Sequence, residues 1–335
     1  MMEQTRRGGI DGFRLVAALM IVAIHTGPLS SWSQGADALL TYTLGRVAVP
    51  FFLMVTGYFV LAPALEGTPS TRWQKRTAAL YLLATLLYLP VSLYAGNLPQ
   101  TPLAFLRWLL LDGTFYHLWY LPAALLGFFL VEGWWKWWGR GPALLISAGL
   151  YLLGVLGDSW FWPAVQFPPL EAFYRWIFSG MTYTRNGIFY APLFLALGAW
   201  MAGWERKPSR RVLLPGLAAA LALLLGEGWL TYSLHWQRHS SMYFLLPLVS
   251  VLLFALLLEL PGEVPALVRL LSQWMYLLHP LAILAVRALG KATGLTALLV
   301  GNSLVYFLLT ALLAAALSLA AVWALALWAE RRGGT

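Results

Sequence analysis

The stretch DGFRLVAALMIVAIHTGPL, residues 11–29, decides the class of this chain, because an apolar run long enough to cross a bilayer carries Arg14 and His25 inside it. Ionisable groups within a membrane span are costly, and they are functional suspects by default. Eleven helical steps of about 100° close about three turns plus 20°, so the two side chains share nearly one face, roughly 16 Å apart. Asp11, three residues before Arg14, falls on that face too. One stripe of the first helix therefore carries an acid, a base and an imidazole, the pattern of a buried polar track or site.

Composition extends that reading to the whole chain. Of 335 residues, 60% are hydrophobic and 10% charged, too few charges for an ordinary water-facing surface. The expected fold class is all-α, a polytopic integral membrane protein forming a single domain over residues 1–335. The first apolar run lacks a small-residue cleavage site and holds Arg and His, so it reads as a retained span and not a signal peptide. With no cysteine, disulfides, thiolate metal sites and a cysteine nucleophile are excluded.

Apolar runs between polar or Pro/Gly punctuation predict ten spans, at approximately 10–30, 38–62, 77–95, 117–134, 142–157, 187–204, 212–233, 241–260, 270–289 and 302–329. An even number puts both termini on one side. If that side is the cytoplasm, the inner loops hold Arg6, Arg7, Arg72, Lys75, Arg76, Lys136, Arg140, Arg206, Lys207, Arg210, Arg211, Arg269, Arg331 and Arg332. The outer loops then hold Arg107, Arg175, Arg185, Arg238, Arg287 and Lys291. The 14-to-6 bias favours cytoplasmic termini in a plasma or inner membrane. It also accounts for the +9 net charge without a nucleic-acid partner. The longest polar interruption, 158–186, is rich in Trp, Phe and Pro and is expected at the outer interface as a lid or cavity wall.

On this topology the chemistry-bearing residues gather toward the outer leaflet. His25 lies near the outer end of span one, Arg46 in the outer third of span two, and His117 at the start of span four. Arg185 and Asn186 open span six, and Glu227 sits in the outer half of span seven. His279, followed by Pro280, lies near mid-membrane in span nine, where proline frees a backbone carbonyl. Arg72, Lys75 and Arg76 occupy an inner loop; they also suit the positive-inside rule or contact with anionic lipid. His279 and His235 also suit a role in helix-to-helix hydrogen bonding. The scattered histidines have no metal-ligand spacing, and neither a phosphate loop nor GxSxG is present. What an imidazole can run with positioned cations is general-base activation of a hydroxyl attacking an acyl thioester, with arginines holding the anionic donor.

Arg14 and His25 with ten residues between them, the preceding IDGFR (10–14), VAVPFFLMVTGYF (47–59) and YLLHP (276–280) resemble the membrane-bound acyltransferase-3 family across almost the whole chain. That resemblance implies ten spans, a catalytic histidine in the first helix (His25 here, with Arg14 and Asp11 beside it), and acyl-CoA, acetyl-CoA above all, entering from the cytoplasm. The acceptor is a hydroxyl on the far side, carried by an envelope component or an amino-acid-like molecule. The loop RWQKR (72–76) falls where the family handles CoA, which gives Arg72, Lys75 and Arg76 the donor phosphates, with the pantetheine arm reaching past Arg14. A lysine stands where an arginine is usual, which weakens that transfer of role. Arg46, His117, Arg185, Asn186, Glu227 and His279 are left to shape the acceptor side.

A narrower resemblance runs through GIDGFRLVAALMIVAIHTGPL (9–29), GRVAVPFF (45–52), DGTFYHLWYLPAA (112–124), YTRNGIF (183–189) and QRHSSMYFLLP (237–247). These are similar to the transmembrane half of the membrane-bound serine racemases of vancomycin resistance. Such proteins carry a pyridoxal-phosphate domain after the tenth span, and none of the four lysines here lies in a soluble fold, so no racemase chemistry is expected. That likeness keeps a second class open: an L-serine or amino-acid transporter, or a membrane module serving a separate racemase. There Arg46 or Arg185 would clasp a carboxylate, and Glu227 or His25 would relay protons.

Overall fold

The structure is a computed structural model that describes residues 8–206 and 208–333. Arg6, Arg7 and Lys207, counted above on the inner side, lie outside the described residues. Among the described residues every regular element is helical and there is no strand. Six helices are long and apolar enough to cross a membrane: Gly8–Thr26, Gln34–Leu65 with its internal breaks, Thr71–Tyr94, Arg210–Ser233, Ala266–Thr293 and Ser303–Arg331. The other four predicted spans fall on Tyr120–Trp138, Arg140–Leu156, Ala191–Ala202 and Leu246–Glu259. Ala191–Ala202, at 12 residues, is about 18 Å long against a hydrocarbon core of about 30 Å.

One stretch differs from the sequence expectation, and a second gains detail. The predicted span 38–62 is not one helix but three pieces, Gln34–Thr41, Ala48–Thr56 and Ala62–Leu65. A 3₁₀ turn, Leu44–Val47, and a π turn, Gly57–Leu61, join them. Thr43 closes the first piece by donating its hydroxyl to Ala38 O at 3.2 Å. The interruption at 158–186 is itself largely helical, with Phe161–Val165 and Pro168–Gly180. Pro168 opens the second of these, where a missing amide hydrogen costs nothing.

By contacts the chain divides into two compact units, one gathering the residues up to Ala48 with those from Leu253 onward, the other holding Val49–Leu252. In the first, the Gly8–Thr26, Ala266–Thr293 and Ser303–Gly333 helices pack on one another. Ala18, Val22, Met275 and Ala311 form one core, and Ile283, Val286 and Tyr306 another. The first helix stops at Gly27, whose φ of +58° is the left-handed cap that glycine adopts most cheaply. Its amide closes on Ala23 O at 2.9 Å, and Pro28 follows.

In the second unit the short Ala191–Ala202 helix is the buried centre. It packs against the Gly57–Leu61 turn, the Tyr120–Trp138 helix and the Arg140–Leu156 helix. Backbone meets backbone at its edge: a Cβ on Gly57 would overlap the Leu195 carbonyl, and one on Gly198 would overlap that of Met54. Such close approach of small residues is how helices associate where water supplies no driving force.

Candidate functional site

The first unit holds the acid, base and imidazole of the opening stretch, and the structure separates them into two groups. At the start of the first helix, Asp11 is buried and accepts Arg14 Nε at 3.1 Å, one helical turn away. Its other oxygen accepts Arg269 Nη1 at 2.8 Å. At the other end, in the last turn, half-buried His25 lies against His279 with ring centroids 5.1 Å apart and planes 21° from parallel. His279 is fully buried, and its Nδ1 sits 2.8 Å from Tyr276 O and 3.2 Å from Met275 O. Arg46 is buried in the Leu44–Val47 turn, its guanidinium 5.4 Å from the Tyr42 ring. That turn packs on the first helix, with Gly45 against Ile24, the neighbour of His25. The fixed loop before it depends on buried Asp37, which accepts Leu29 N at 3.0 Å and the Thr41 hydroxyl at 2.8 Å.

The second unit holds the remaining predicted residues in two places. Arg72, Lys75 and Arg76 are exposed in the first turns of the Thr71–Tyr94 helix, spaced so that all three share a face. Trp73 packs the other way, its ring 4.9 Å from that of Phe128. Three cations at a helix N-terminus oppose the macrodipole, so an anion there relieves both the charge cluster and the orphan amides.

Elsewhere in this unit His117 is buried in a ring of aromatics, 5.1 Å from Tyr88, 5.8 Å from Phe115 and 5.5 Å from Tyr116. Arg185 lies over two rings, 4.5 Å from Tyr183 and 5.2 Å from Trp119. Asn186 is spent on its own loop: its oxygen accepts Ile188 N at 2.8 Å and Phe189 N at 3.1 Å, and its amide donates to Tyr183 O at 2.8 Å. It thus fixes the turn that presents Arg185. Glu227 is likewise engaged, accepting Trp160 Nε1 at 2.8 Å, Phe244 N at 2.7 Å and Leu245 N at 3.0 Å. Its geometry is that of a brace holding the entry to the Leu246–Glu259 helix.

Sequence reasoning missed several polar residues that organise these places. Arg269 was counted only as a loop cation, and nothing local in the sequence links it to Asp11. Asp158 marked only the start of the 158–186 interruption; in the structure it accepts Ser241 N at 2.6 Å and Met242 N at 2.9 Å and lies 3.5 Å from His239 Nδ1. Ser159 donates to Met242 O, and Tyr151 donates to Tyr243 O at 2.8 Å. With Glu227 they pin the whole 238–245 loop. Within it Arg238 stacks 3.6 Å over Phe178 and donates to Thr182 O at 2.8 Å. Burial pulls the Arg238 guanidinium below its ordinary pKa, and Tyr183, Asp158 and Asp112 oppose that shift. Among the described residues, no three His, Asp or Glu side chains gather as a metal ion would require.

A helical membrane fold with an imidazole pair and an aspartate-bridged arginine pair in one unit defines a class with a buried polar site. The chain belongs to the acyltransferase family whose model, described as an acyltransferase domain, matches residues 7–326. Among curated proteins it is similar to a serine/alanine racemase of Enterococcus gallinarum, 39% identical over 322 residues, covering 90% of this chain and 44% of that protein. It is also similar to an amino-acid racemase of Enterococcus faecalis, 37% identical over 316 residues, covering 91% of this chain and 44% of that protein. The chain thus spans less than half the length of these relatives. No solved structure matches it significantly.

Proposed function

We propose that the protein is an acyl-CoA-dependent O-acyltransferase of the plasma or inner membrane, a single domain of ten spans with both termini in the cytoplasm. It moves an acyl group, acetyl for preference, to a hydroxyl of an extracytoplasmic or membrane-embedded acceptor. The observation that carries this reading is the half-buried His25 at the end of the first helix, backed by a buried imidazole, with the turn bearing buried Arg46 packed beside it. In the proposed step, His25 takes the proton of the acceptor hydroxyl as its oxygen attacks the thioester carbonyl. The tetrahedral intermediate collapses, the carbon–sulfur bond breaks, and the imidazolium returns its proton to the CoA thiolate. In this reading Arg46 steadies the developing oxyanion, and Asp11 keeps Arg14 oriented on the donor side. Arg72, Lys75 and Arg76 hold the CoA phosphates, and Arg185 and His117 contribute to the acceptor side.

The test uses purified protein in nanodiscs with acetyl-CoA and a panel of hydroxyl acceptors. Because the chain has no cysteine, a thiol reagent reads released CoA without background. Acyl-CoA-dependent CoA release with acylated product supports the reading. A second reading, an amino-acid transporter or a membrane module for a separate racemase, is favoured by the names of the relatives matched over 44% of their length. Serine uptake into liposomes with no acyl donor, and no CoA release, would select it.

A further inference from the structure

Pro280 has no amide hydrogen, so Tyr276 O, four residues earlier, loses the donor that a regular helix gives it. The ring of His279 takes that carbonyl over, with Nδ1 at 2.8 Å from Tyr276 O and 3.2 Å from Met275 O. Carbonyl oxygens only accept, so Nδ1 carries the proton, and in the neutral ring the lone pair is on Nε2. The dipeptide His279–Pro280 therefore sets both the tautomer and the plane of this buried ring. Against that fixed plane stands His25, at 5.1 Å and 21°. The outer torsion of a histidine side chain is intrinsically broad, so an imidazole alone has little preference for where its nitrogens point. A locked aromatic face beside it restricts the plane of that ring.

We propose that His279 is a positioning residue for His25: its ring, locked by the carbonyl that Pro280 frees, holds the plane in which the His25 imidazole presents its basic nitrogen to the acceptor hydroxyl. The proposal rests on the reading of His25 as the base. His279 neither gains nor loses a proton in the cycle; the hydroxyl proton passes to His25 and from there to the departing thiolate. Pro280→Ala returns an amide hydrogen to Tyr276 O and releases the lock while leaving the imidazole in place. His279→Phe keeps a stacking face and removes the Nδ1 donor.

The experiment combines kinetics with ¹⁵N-histidine NMR of the full chain, which has five histidines to resolve. Wild type should show His279 as the Nδ1-protonated tautomer, assigned by its loss in His279→Phe. Pro280→Ala should move that signal toward a tautomer mixture and shift the His25 resonances. Misplacing a reacting group by about 1 Å can cost on the order of 10²-fold, so both variants should lose roughly 10- to 100-fold in kcat with KM for acyl-CoA and acceptor held. If His279→Phe does not fold, His279→Asn supplies the assignment and Pro280→Ala carries the kinetic test. Unmoved His25 resonances with wild-type kcat, or an Nε2-protonated His279, overturn the proposal. A wild type that shows the lock but transfers no acyl group would instead overturn His25 as the base, and with it any catalytic use of the lock.

Discussion

Asp11 and Arg269 stand 258 positions apart in the chain and meet at 2.8 Å, and the same carboxylate holds Arg14 at 3.1 Å. One carboxylate thus pairs with two cations, leaving one net positive charge, and ties the first helix to the Ala266–Thr293 helix. Asp11→Asn removes the carboxylate charge that faces both arginines, and because the two guanidinium groups are partly exposed the expected cost is about 1 kcal/mol. Arg269→Gln in the same background should add little, because partners in one network are not additive. Thermal unfolding of the two single variants and the double variant in detergent checks this; strictly additive losses would mean that the pair is not coupled.

Glu227 braces a loop through three donors, so its removal should act on folding before chemistry. Glu227→Ala strands Trp160 Nε1 and the amides of Phe244 and Leu245, and a marked loss of thermal stability and expression is expected. Per folded molecule, turnover should stay close to wild type. Full stability with lost turnover would return Glu227 to the reacting centre.

The exposed cluster on the Thr71–Tyr94 helix makes a donor-side prediction. Arg72→Ala with Arg76→Ala should weaken CoA binding on the order of 10-fold, since exposed charge pairs contribute up to about 1 kcal/mol each. Binding should also become less sensitive to salt, because the long-range charge that salt screens has gone. Titrations at two ionic strengths decide it, and unchanged affinity and slope would remove CoA from this helix end.

Arg185 offers a flat cation to two rings, which lysine cannot copy. Arg185→Lys should raise KM for the acceptor while leaving KM for acyl-CoA alone. An effect confined to acyl-CoA would place Arg185 on the donor side.

What the sequence disclosed followed from local periodicity. Each predicted apolar stretch became helical, and the spacing of Asp11 and Arg14 gave their contact outright, because three residues is one turn. The Pro280 carbonyl was foreseeable for the same reason; that the adjacent His279 ring takes it up was not, since that depends on a rotamer. The break at Leu44–Val47 escaped although Thr43, Gly45 and Arg46 interrupt the apolar run there, because hydropathy averaged over a span looks alike whether it forms one helix or three. Glu227 was legible as a charge in need of partners, yet two of those partners are backbone amides at Phe244 and Leu245, which carry no side-chain signal. Arg269 and Asp158 act through contacts distant in the chain, and no repeat of 3.6 reports those.

The central claim is that His25 is the general base, and the rate of acyl transfer by His25→Ala tests it most directly. General-base assistance contributes about 10²- to 10⁴-fold, so the variant should lose at least that much kcat while keeping its thermal stability and its affinity for CoA. Acyl transfer by His25→Ala at near the wild-type rate, to any acceptor that the wild type acylates, would contradict the account.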